Sequence, residues 1–391
     1  MTTFENAYQI ILNEIKPLGF ENVKIENALN RILASDVISD IDMPPFNKSA
    51  MDGFACRRED ISNELTFIET IAAGDIPKKT VEKNQCAKIM TGAMVPDGAD
   101  IVIMVEQTEC INGNKIRFNG SETANNIAYK AEDIKKGDIV LKKGQALKPQ
   151  HISILASVGC HNPEVVKQPC VGVISTGIEL VEPTEIPMTS QIRNSNAYQL
   201  INQIKNTNAI PIYYGIAKDD EAETEVIIDK AISECDVVIL TGGVSMGDFD
   251  FIPGILKKKN VNILFQKLKV KPGKPTVFGT IGSKYIFGLP GNPVSSFIMF
   301  EMLVKPLLLG VMGNNFTIPY IYMPLERDFL RKKADRILFA PVKFNKNGML
   351  EFVEYHGSAH IHSLCDADGI VIIPIGVTKI KRGEMLHVRQ I

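Results

Sequence analysis

Three glycine-bearing turns carry the residue types best suited to chemistry. Each directly follows an apolar, strand-like segment: TGIE at 176–179, TGGVSMGDFD at 241–250 and LPGNPVSS at 289–296. Glycine lets the backbone approach a bulky anion, and free N–H groups at a helix start face negative charge. Any one of these could be an ordinary tight turn, but three at consecutive strand ends favour one ligand site. The residues that would bind this ligand are Gly242, Gly243, Ser245 and Gly291.

Acidic side chains lie at or beside the same strand ends: Glu179, Asp219, Asp220, Asp248 and Asp250. Hard carboxylate oxygens next to a phosphate-binding turn are what Mg²⁺ takes, with the substrate phosphate completing its octahedron. Helix N-capping is the simpler role for Asp219 or Asp220, which come just before the helical segment EAETEVIIDKAI. The glycine turn itself delivers Asp248 and Asp250 to the strand end, so a metal role fits those two better.

The segment KLKVKPGKP at 267–275 is a local basic patch. Its lysines alternate along an extended segment and so share one face, and the Pro-Gly turn presents Lys271 and Lys274 rigidly. That arrangement suits an oxyanion such as phosphate or molybdate. A lysine-rich solvated edge strand, which blocks aggregation, is the alternative. The fixed turn favours the oxyanion, because a solubility device does not need one.

Other polar residues give weaker signals. In the first half, PPFNKSAMDGFA at 44–55 and TGAMVPDGAD at 91–100 are shaped turns, and composition alone makes Asp52 a turn residue. His356, His360 and His362 resemble a metal-ligand run, but no cysteine or paired carboxylate stands at zinc spacing. Surface or partly buried histidines are the simpler interpretation. The sequence has no Ser–His–Asp order and no Cys–His pair that would indicate nucleophilic catalysis.

An alternation of strands and helices must position the three turns. From residue 168 to 312, strand-like CVGVIST, AIPIYYGIA, DVVILTGG and KYIFGLPG alternate with helical segments such as NAYQLINQIKNT. This spacing is typical of right-handed βαβ crossovers and a parallel sheet. Residues 1–167 predict an N-terminal helix at 3–16, then short strands with an inserted β unit, and 313–391 predict a small C-terminal β domain or barrel. The predicted fold class is therefore a multidomain α/β protein.

Composition and charge exclude several classes of protein. Apolar residues make up 45% of the 391 and charged residues 23%, as in ordinary globular proteins. A formal charge of −2 argues against a nucleic-acid partner. The seven cysteines form no C-x-x-C pair, which fits a cytoplasmic protein. The most apolar stretch, FIMFEMLVKPLLLGVMG, contains Glu301, Lys305 and Pro306, and we expect it to be too short and too charged to span a membrane.

Several segments taken together resemble the MoeA-type molybdopterin molybdenumtransferases, a family related to the C-terminal domain of gephyrin. The SAMDGFA and MTGAMVP motifs and the C-terminal β region distinguish this family from the shorter pterin adenylyltransferases, which share pieces like TGGVSMGD and GLPGNPVS. The matching stretches run in family order over essentially the whole chain: RILASDVISDIDMPPFNKSAMDGFA, IMTGAMVPDGADIVIMVEQT, ISTGIEL, VVILTGGVSMGDFDF, KVKPGKP and FGLPGNPVSS.

The resemblance implies an activity and a place for it. Adenylyl-molybdopterin and molybdate, with Mg²⁺, would give molybdenum cofactor and AMP. The enzyme would be a homodimer of elongated subunits, with the site in a cleft between the α/β domain of one subunit and the first-half motifs of the other. By motif, that second subunit would contribute Asp52, Thr91 and Asp133.

Matching positions in the motifs imply roles for further residues. The adenylyl phosphate and the metal would be served by Glu179, Asp219 and Asp250. Molybdate or pterin oxygens would be held by Lys267, Lys271, Lys274, Ser295, Arg336 and Ser358. The third turn would be shaped by Pro290 and Pro293. Of these, Arg336 and Ser358 lie in a weakly patterned C-terminal region.

Three other interpretations stay open. A pterin adenylyltransferase would use ATP and metal-free molybdopterin, and it would need the α/β turns but not the first-half motifs. If this chain is instead the molybdenumtransferase, a pterin adenylyltransferase would be the partner that supplies its substrate. A gephyrin-like scaffold would bind a partner without catalysis, although no added linker or appended domain favours it. Tungstate insertion is equally compatible with the sequence, because the two oxyanions are nearly identical in size and charge.

Overall fold

The structure is a computed structural model that describes residues 1–218, 221–243, 252–313, 320–353 and 360–391. Contacts divide the chain into two compact units. The first unit comprises Met1–Asn22, Asn30–Ala34 and Glu164–Ile391, and the second comprises Val23–Leu29 and Ser35–Pro163. The three domains expected from sequence, with joints after residues 167 and 312, stay a prediction.

The described residues contain seven α-helices, of which the fifth was not predicted from the sequence. A π-helical turn, Phe300–Val304, joins the last two into one continuous helix. The helices are α1 (Phe4–Glu14), α2 (Pro149–Ser157), α3 (Ser195–Asn206), α4 (Glu221–Glu234), α5 (Ile252–Lys258), α6 (Pro293–Met299) and α7 (Lys305–Val311).

The described strands range from two to eight residues in length. Those up to residue 141 are β1 (Phe20–Asn22), β2 (Val37–Ile38), β3 (Lys48–Ser49), β4 (Gly53–Cys56), β5 (Leu65–Ile71), β6 (Gln85–Ile89), β7 (Ile101–Met104), β8 (Thr108–Cys110), β9 (Lys115–Phe118), β10 (Ile127–Ala128) and β11 (Ile139–Leu141). Those from residue 164 to 289 are β12 (Glu164–Val166), β13 (Cys170–Thr176), β14 (Leu180–Val181), β15 (Ile192–Arg193), β16 (Ile210–Ala217), β17 (Val237–Thr241), β18 (Asn262–Phe265), β19 (Val270–Lys271), β20 (Val277–Ile281) and β21 (Lys284–Leu289). The C-terminal strands are β22 (Tyr320–Pro324), β23 (Phe329–Leu330), β24 (Ile337–Phe344), β25 (Leu350–Phe352), β26 (Gly369–Ile373), β27 (Lys379–Ile380) and β28 (Met385–Gln390).

The second unit is built around a sheet in the order β7-β4-β6-β5-β9-β8. Strand β4 is buried along its whole length and pairs antiparallel with both neighbours. Strands β8 and β9 pair antiparallel as a hairpin. Two hydrophobic clusters, one containing Phe54 and Ile103 and the other Val81 and Ile89, pack around this sheet.

The first unit contains the α/β sheet, in the order β16-β13-β17-β21-β20-β18. Its first four strands are parallel, which confirms the parallel α/β prediction, and the last two pair antiparallel at one edge. Strand β17 is buried throughout, as expected when helices cover both faces. Helices α3 and α6 contribute to the core on one face, with Val173 and Ile239, while α4 and α5 pack on the other with Ile174 and Leu240.

The C-terminal strands form a sheet in the order β19-β24-β26-β28-β22. Its first strand comes from the lysine-rich segment, because Val270 and Lys271 pair in parallel with Ile337 and Leu338. Phe339 of this sheet also belongs to the same hydrophobic core as helix α3. The predicted C-terminal β domain is therefore present, but it shares a strand and core residues with the α/β region.

The most apolar helix departs from the expectation drawn from its charges. Pro293–Val311 is a continuous helix of 19 residues with a mean hydropathy of 1.7, so by length and composition alone it could cross a membrane. The prediction that the segment is too short and too charged was wrong on those two criteria. In the structure 78% of its most apolar window is buried, which is the environment of a core helix. Its Glu301 is buried and forms an ion pair with Lys305 at 2.7 Å.

Candidate functional site

The three glycine-bearing turns meet at one edge of the α/β sheet. Strands β13, β17 and β21 are parallel neighbours, so their carboxyl ends at Thr176, Thr241 and Leu289 lie side by side. The hydroxyl of Thr176 donates to the carbonyl of Thr241 at 3.4 Å, and the Gly242 N–H donates to the carbonyl of Leu289 at 3.2 Å. The structure therefore brings together the first turn and the described parts of the other two. Ser245 lies outside the described residues, as do Asp248 and Asp250.

Glycine is required at the middle turn for two physical reasons. Gly242 has a φ of +90° and Gly243 a φ of +58°, both in the left-handed region that side chains disfavour. A Cβ at Gly242 would also lie 2.5 Å from the carbonyl oxygen of Thr176. The two glycines thus let the ends of β13 and β17 approach each other. Gly291 of the third turn is close as well, since a Cβ there would lie 3.5 Å from the Cα of Gly242.

Glu179 is the predicted metal ligand that the described residues place at this edge. Its side chain is exposed, and its carboxylate folds back over Gly177 in the first turn. Asp219 and Asp250, the other predicted ligands, lie outside the described residues. The described part of the chain has no cluster of three or more metal-binding side chains. One exposed carboxylate beside a glycine turn is compatible with Mg²⁺, which binds through one or two carboxylates and substrate phosphate.

A hydrogen-bonded chain that the sequence did not predict holds the segment after Glu179. The buried Ser175 hydroxyl donates to Asn194 Oδ1 at 3.1 Å, and Asn194 Nδ2 donates to the Tyr213 hydroxyl at 2.8 Å. That hydroxyl in turn donates to Glu182 Oε1 at 2.6 Å. Burial, together with the Glu182 carboxylate, raises the pKa of Tyr213. The only local signal was Asn194 at the N-cap of α3, where its side chain accepts from the Ala197 N–H at 3.2 Å.

The third turn leads directly into helix α6. Pro293 is the first helical residue, where a proline loses no hydrogen bond, and Pro290 before it is buried. Gly291 is exposed, whereas Ser295 in the first turn of the helix is buried. The predicted pterin-binding residues Pro290, Gly291, Pro293 and Ser295 therefore share one turn, and Gly291 is its most accessible member.

The lysine-rich segment forms a basic pocket with the C-terminal sheet. Lys271 is exposed at the end of β19, and Arg336 lies just before β24, the strand with which β19 pairs. The cavity between them has a volume of about 290 Å³ and is lined by Lys271, Arg331, Lys332, Lys333, Asp335, Arg336 and Leu338. Two of the residues assigned to an oxyanion from the resemblance thus lie in one pocket. Ser358 lies outside the described residues.

Backbone hydrogen bonds fix the hairpin that carries these lysines. The Leu268 N–H donates to the carbonyl of Lys274 at 2.9 Å and closes the hairpin. The carbonyl of Lys267 accepts from the Thr2 N–H at 2.8 Å, so the N-terminus also holds the segment. Lys274 is exposed, and Lys267 is half-buried. The sequence indicated the alternation of exposed lysines and buried apolar residues, but not the strand on which the hairpin would pack.

Helix α6 extends from the third glycine turn to the lysine-rich hairpin. The turn at Gly273 packs against Met299, the last residue of α6, since a Cβ at Gly273 would lie 2.5 Å from its sulfur. The third glycine turn stands at the other end of the helix, before Pro293. Six residues at 1.5 Å rise place the two ends about 9 Å apart. The third glycine turn and the lysine-rich hairpin therefore lie at the two ends of one short helix, and the expected convergence of all three segments on one pocket stays a prediction.

The C-terminal region contains a larger cavity, of about 980 Å³, that the sequence analysis did not single out. Its lining mixes both charge signs with the stacked rings of Phe329 and Phe352, whose centroids are 4.4 Å apart. His360 and His362 line it, while His356 is outside the described residues. No third ligand joins these two histidines in a metal cluster among the residues the structure describes.

In the second unit, the structure joins two more predicted site residues. One carboxylate oxygen of Asp52 accepts the backbone N–H of Thr91 at 2.6 Å and the Thr91 hydroxyl at 2.8 Å. The backbone N–H first, and then the hydroxyl, hold the pKa of Asp52 below its ordinary value of 3.8. Both side chains are exposed. Asp52 is thus more than a turn residue, because its carboxylate is oriented by a second loop.

Asp133 contacts residues 43–49, a segment that also contacts the loop of Thr91. Its N–H donates to the carbonyl of Met43 at 3.1 Å, and its side chain is exposed. A few residues further, the Ser49 N–H donates to the carbonyl of Ala93 at 2.9 Å. Residues 43–49 therefore connect the loop of Asp133 with the loop of Thr91. The expected sharing of the site between two subunits stays a prediction.

A parallel α/β sheet with glycine turns at its carboxyl edge is typical of nucleotide- and cofactor-binding domains, and the family model "probable molybdopterin binding domain" matches residues 172–310. The models of the MoeA N-terminal region (domains I and II) and C-terminal region (domain IV) match residues 2–159 and 324–391. The chain belongs to the MoeA family of molybdopterin molybdenumtransferases, which are transferases of molybdenum cofactor biosynthesis.

Relatives match over nearly the whole length. The chain is 36% identical to the molybdopterin molybdenumtransferase of Staphylococcus epidermidis over 378 residues, covering 94% of this chain and 90% of that protein. It is 35% identical to the Staphylococcus aureus protein of the same name over 396 residues, covering 98% and 94%. The crystal structure of the MoeA protein from Pyrococcus horikoshii superposes with a TM-score of 0.86 at 32% identity, covering all of both chains.

Proposed function

We propose that this chain transfers molybdenum from molybdate to adenylylated molybdopterin and releases AMP, the last step of molybdenum cofactor formation. One observation carries the proposal. The glycine turn at Gly291 and the hairpin that contributes Lys271 to the basic pocket lie at opposite ends of α6, a helix about 9 Å long at 1.5 Å per residue. That separation suits a substrate with a phosphate group at one end and an oxyanion acceptor at the other.

The charge of the pocket supports molybdate as the second substrate. Five cationic side chains and one carboxylate line it: Lys271, Arg331, Lys332, Lys333, Arg336 and Asp335. Molybdate carries two negative charges, and a concave surface of one sign concentrates such an ion. Charged donors also make stronger hydrogen bonds to oxyanions than neutral ones. Tungstate has the same charge and nearly the same size, so competition between the two oxyanions at this pocket is part of the proposal.

The carboxylate at the sheet edge supports a metal-assisted release of AMP. Glu179 would hold Mg²⁺, together with Asp219 and Asp250 from the neighbouring segments. When bound there, Mg²⁺ would neutralise charge on the phosphate oxygens. The N–H groups of the Gly242 turn would orient the phosphate, and the third turn would hold the pterin side. Gly291 is exposed at the point where these two turns meet.

We propose further that the enzyme is a cytoplasmic homodimer with a shared site. Asp52, Thr91 and Asp133 would be contributed by the second copy of the chain. Complementation tests this arrangement: Asp52→Asn and Lys271→Ala proteins are unfolded together, refolded and assayed at a limiting molybdate concentration, at which each is nearly inactive alone. Random pairing makes half of the dimers mixed, each with one intact site, so we expect about a quarter of wild-type activity. Activity no higher than that of the separate variants would exclude a shared site.

A substrate comparison tests the reaction itself. The chain is given either adenylylated molybdopterin with molybdate and Mg²⁺, or ATP with metal-free molybdopterin. We expect AMP and molybdenum cofactor from the first mixture and no pyrophosphate from the second. Pyrophosphate from the second mixture would instead identify an adenylyltransferase, which we otherwise expect to be the partner that supplies the substrate. A scaffold would turn over neither mixture and would bind its partner equally well after Glu179 is replaced.

A further inference from the structure

Helix α3 carries three carboxamide side chains on one face. Asn196, Gln199 and Gln203 are spaced by three and four residues, which places them in one row along a helix. Each donates to a backbone carbonyl of the segment that forms the third turn and α6. Asn196 Nδ2 donates to Gly291 O at 2.7 Å, Gln199 Nε2 to Pro293 O at 3.4 Å and Gln203 Nε2 to Phe297 O at 3.3 Å. We call this row the carboxamide ladder.

The first rung also reaches the second glycine turn. Asn196 Nδ2 donates to Thr241 Oγ1 at 3.0 Å as well as to Gly291 O. Because a carbonyl oxygen only accepts, the atom of Asn196 that faces Gly291 must be the amide nitrogen. Thr241 is the last residue of β17, directly before Gly242. A single side chain of α3 therefore links the second glycine turn to the third.

The last rung is anchored in the protein interior. Gln203 is buried and also donates to Glu301 Oε1 at 2.9 Å, and Glu301 is the buried partner of Lys305. On the same helix, Leu200 and Ile204 pack in the core against the apolar side of α6. The ladder therefore runs from a rigid, buried ion pair to the edge of the sheet where the turns meet.

We propose that the carboxamide ladder is a positioning device for the pterin-binding turn. It fixes Gly291 relative to Thr241, and thereby sets the width of the gap between the second and third turns. Asn196 acts through these two residues and is a positioning residue. The inference deepens the proposed function, because the gap is where that function places adenylylated molybdopterin. The ladder should therefore control substrate affinity more than the rate of the chemical step.

Asn196→Asp tests the first rung with little change in volume. The carboxylate loses the N–H donors and faces the Gly291 carbonyl with like partial charge, so the third turn should loosen. Asn202→Asp is the matched control: it lies on the same helix, is exposed, and donates only locally to the Tyr198 carbonyl at 2.7 Å. Asn196→Ala separates loss of the donor from the added charge. The first measurement is amide hydrogen exchange over residues 289–297.

Kinetics supplies the second measurement. We expect both Asn196 variants to exchange faster over residues 289–297 and to raise KM for adenylylated molybdopterin about tenfold, with kcat within about twofold. Asn202→Asp should leave exchange and kinetics at wild-type values. Unchanged exchange, or a loss confined to kcat, would overturn the positioning role. If wild-type protein releases no AMP, the proposed function fails instead, and the exchange comparison alone then decides whether the ladder holds the turn.

Discussion

Asp52 and Thr91, 39 residues apart in sequence, are joined by two hydrogen bonds to a single carboxylate oxygen, at 2.6 and 2.8 Å. Both residues lie in loops, where the apolar pattern of the sequence predicts only a connection between strands. A carboxylate that accepts two donors is held in its charged form and in one orientation. The two bonds give the first-half motifs a chemical reason for pairing an Asp with a Thr.

Thr91→Val should raise the pKa of Asp52 toward 3.8 without restoring it fully, because the backbone N–H, the larger cause, remains. The lowered pKa means that the pair stabilises the fold above pH 3.8 and that this contribution disappears as the pH falls through the lowered value. Carboxyl NMR titration measures the pKa directly. Thr91→Ser keeps both donors and should titrate like wild type; an unshifted pKa in Thr91→Val would show that the hydroxyl is irrelevant.

Lys271→Ala and Arg336→Ala should each raise the molybdate concentration needed for half-maximal turnover. Loss of one charged hydrogen bond predicts an increase of about tenfold to a hundredfold. Lys205→Ala removes an exposed lysine from α3 and should have no effect. The measurement is the rate of AMP release over a molybdate titration at fixed pterin. The same molybdate dependence in Lys271→Ala as in wild type would remove the pocket from the mechanism.

Gly242→Ala should destabilise the protein more than Gly383→Ala. The two glycines have similar φ angles, +90° and +83°, but a Cβ at Gly242 would collide with the Thr176 carbonyl, whereas Gly383 has open space. The backbone conformation alone should cost about 1 kcal/mol, and the collision should add about 2 kcal/mol or more. Chemical unfolding of both variants measures the difference. Equal losses would mean that the ends of β13 and β17 are not in close contact.

Lys305→Met should destabilise the first unit by about 3 kcal/mol, because it leaves the buried Glu301 carboxylate without its charged partner. Lys205→Met serves as the surface control and should change the unfolding free energy by less than about 0.5 kcal/mol. The free energy of unfolding in urea provides the comparison. A loss no larger than that of the control would indicate that Gln203 and the buried Arg389 guanidinium, which also interacts with Glu301, compensate its charge.

Local patterns were enough to predict the α/β region and its turns. Apolar strand segments followed by glycine identified the ends of β13, β17 and β21, because ligands gather at the carboxyl edge of a parallel sheet. The alternation of lysine with Leu268 and Val270 likewise indicated one exposed face. Each of these features depends on neighbours within a few residues, which is the range over which sequence periodicity carries information.

Contacts between distant segments could not be predicted in the same way. Nothing near Lys271 indicates that β19 pairs with β24, more than sixty residues later. The carboxamide side chains of α3 donate to backbone carbonyls, and such acceptors have no sequence signature. Asn196 therefore could not be predicted as a site residue, although it links two of the predicted turns. Asp52 was assigned to the site through family resemblance. Its contact with Thr91 gives a physical reason for an Asp at this position.

The amount of AMP released per molybdenum incorporated tests the central claim most directly. Purified protein, adenylylated molybdopterin, Mg²⁺ and a limiting amount of molybdate are mixed, and AMP and pterin-bound molybdenum are quantified over time. We predict equal amounts of the two, with AMP release ceasing when the molybdate is exhausted. AMP release that continues without molybdate, or molybdenum bound without AMP release, would contradict the coupling of the two chemistries in one site.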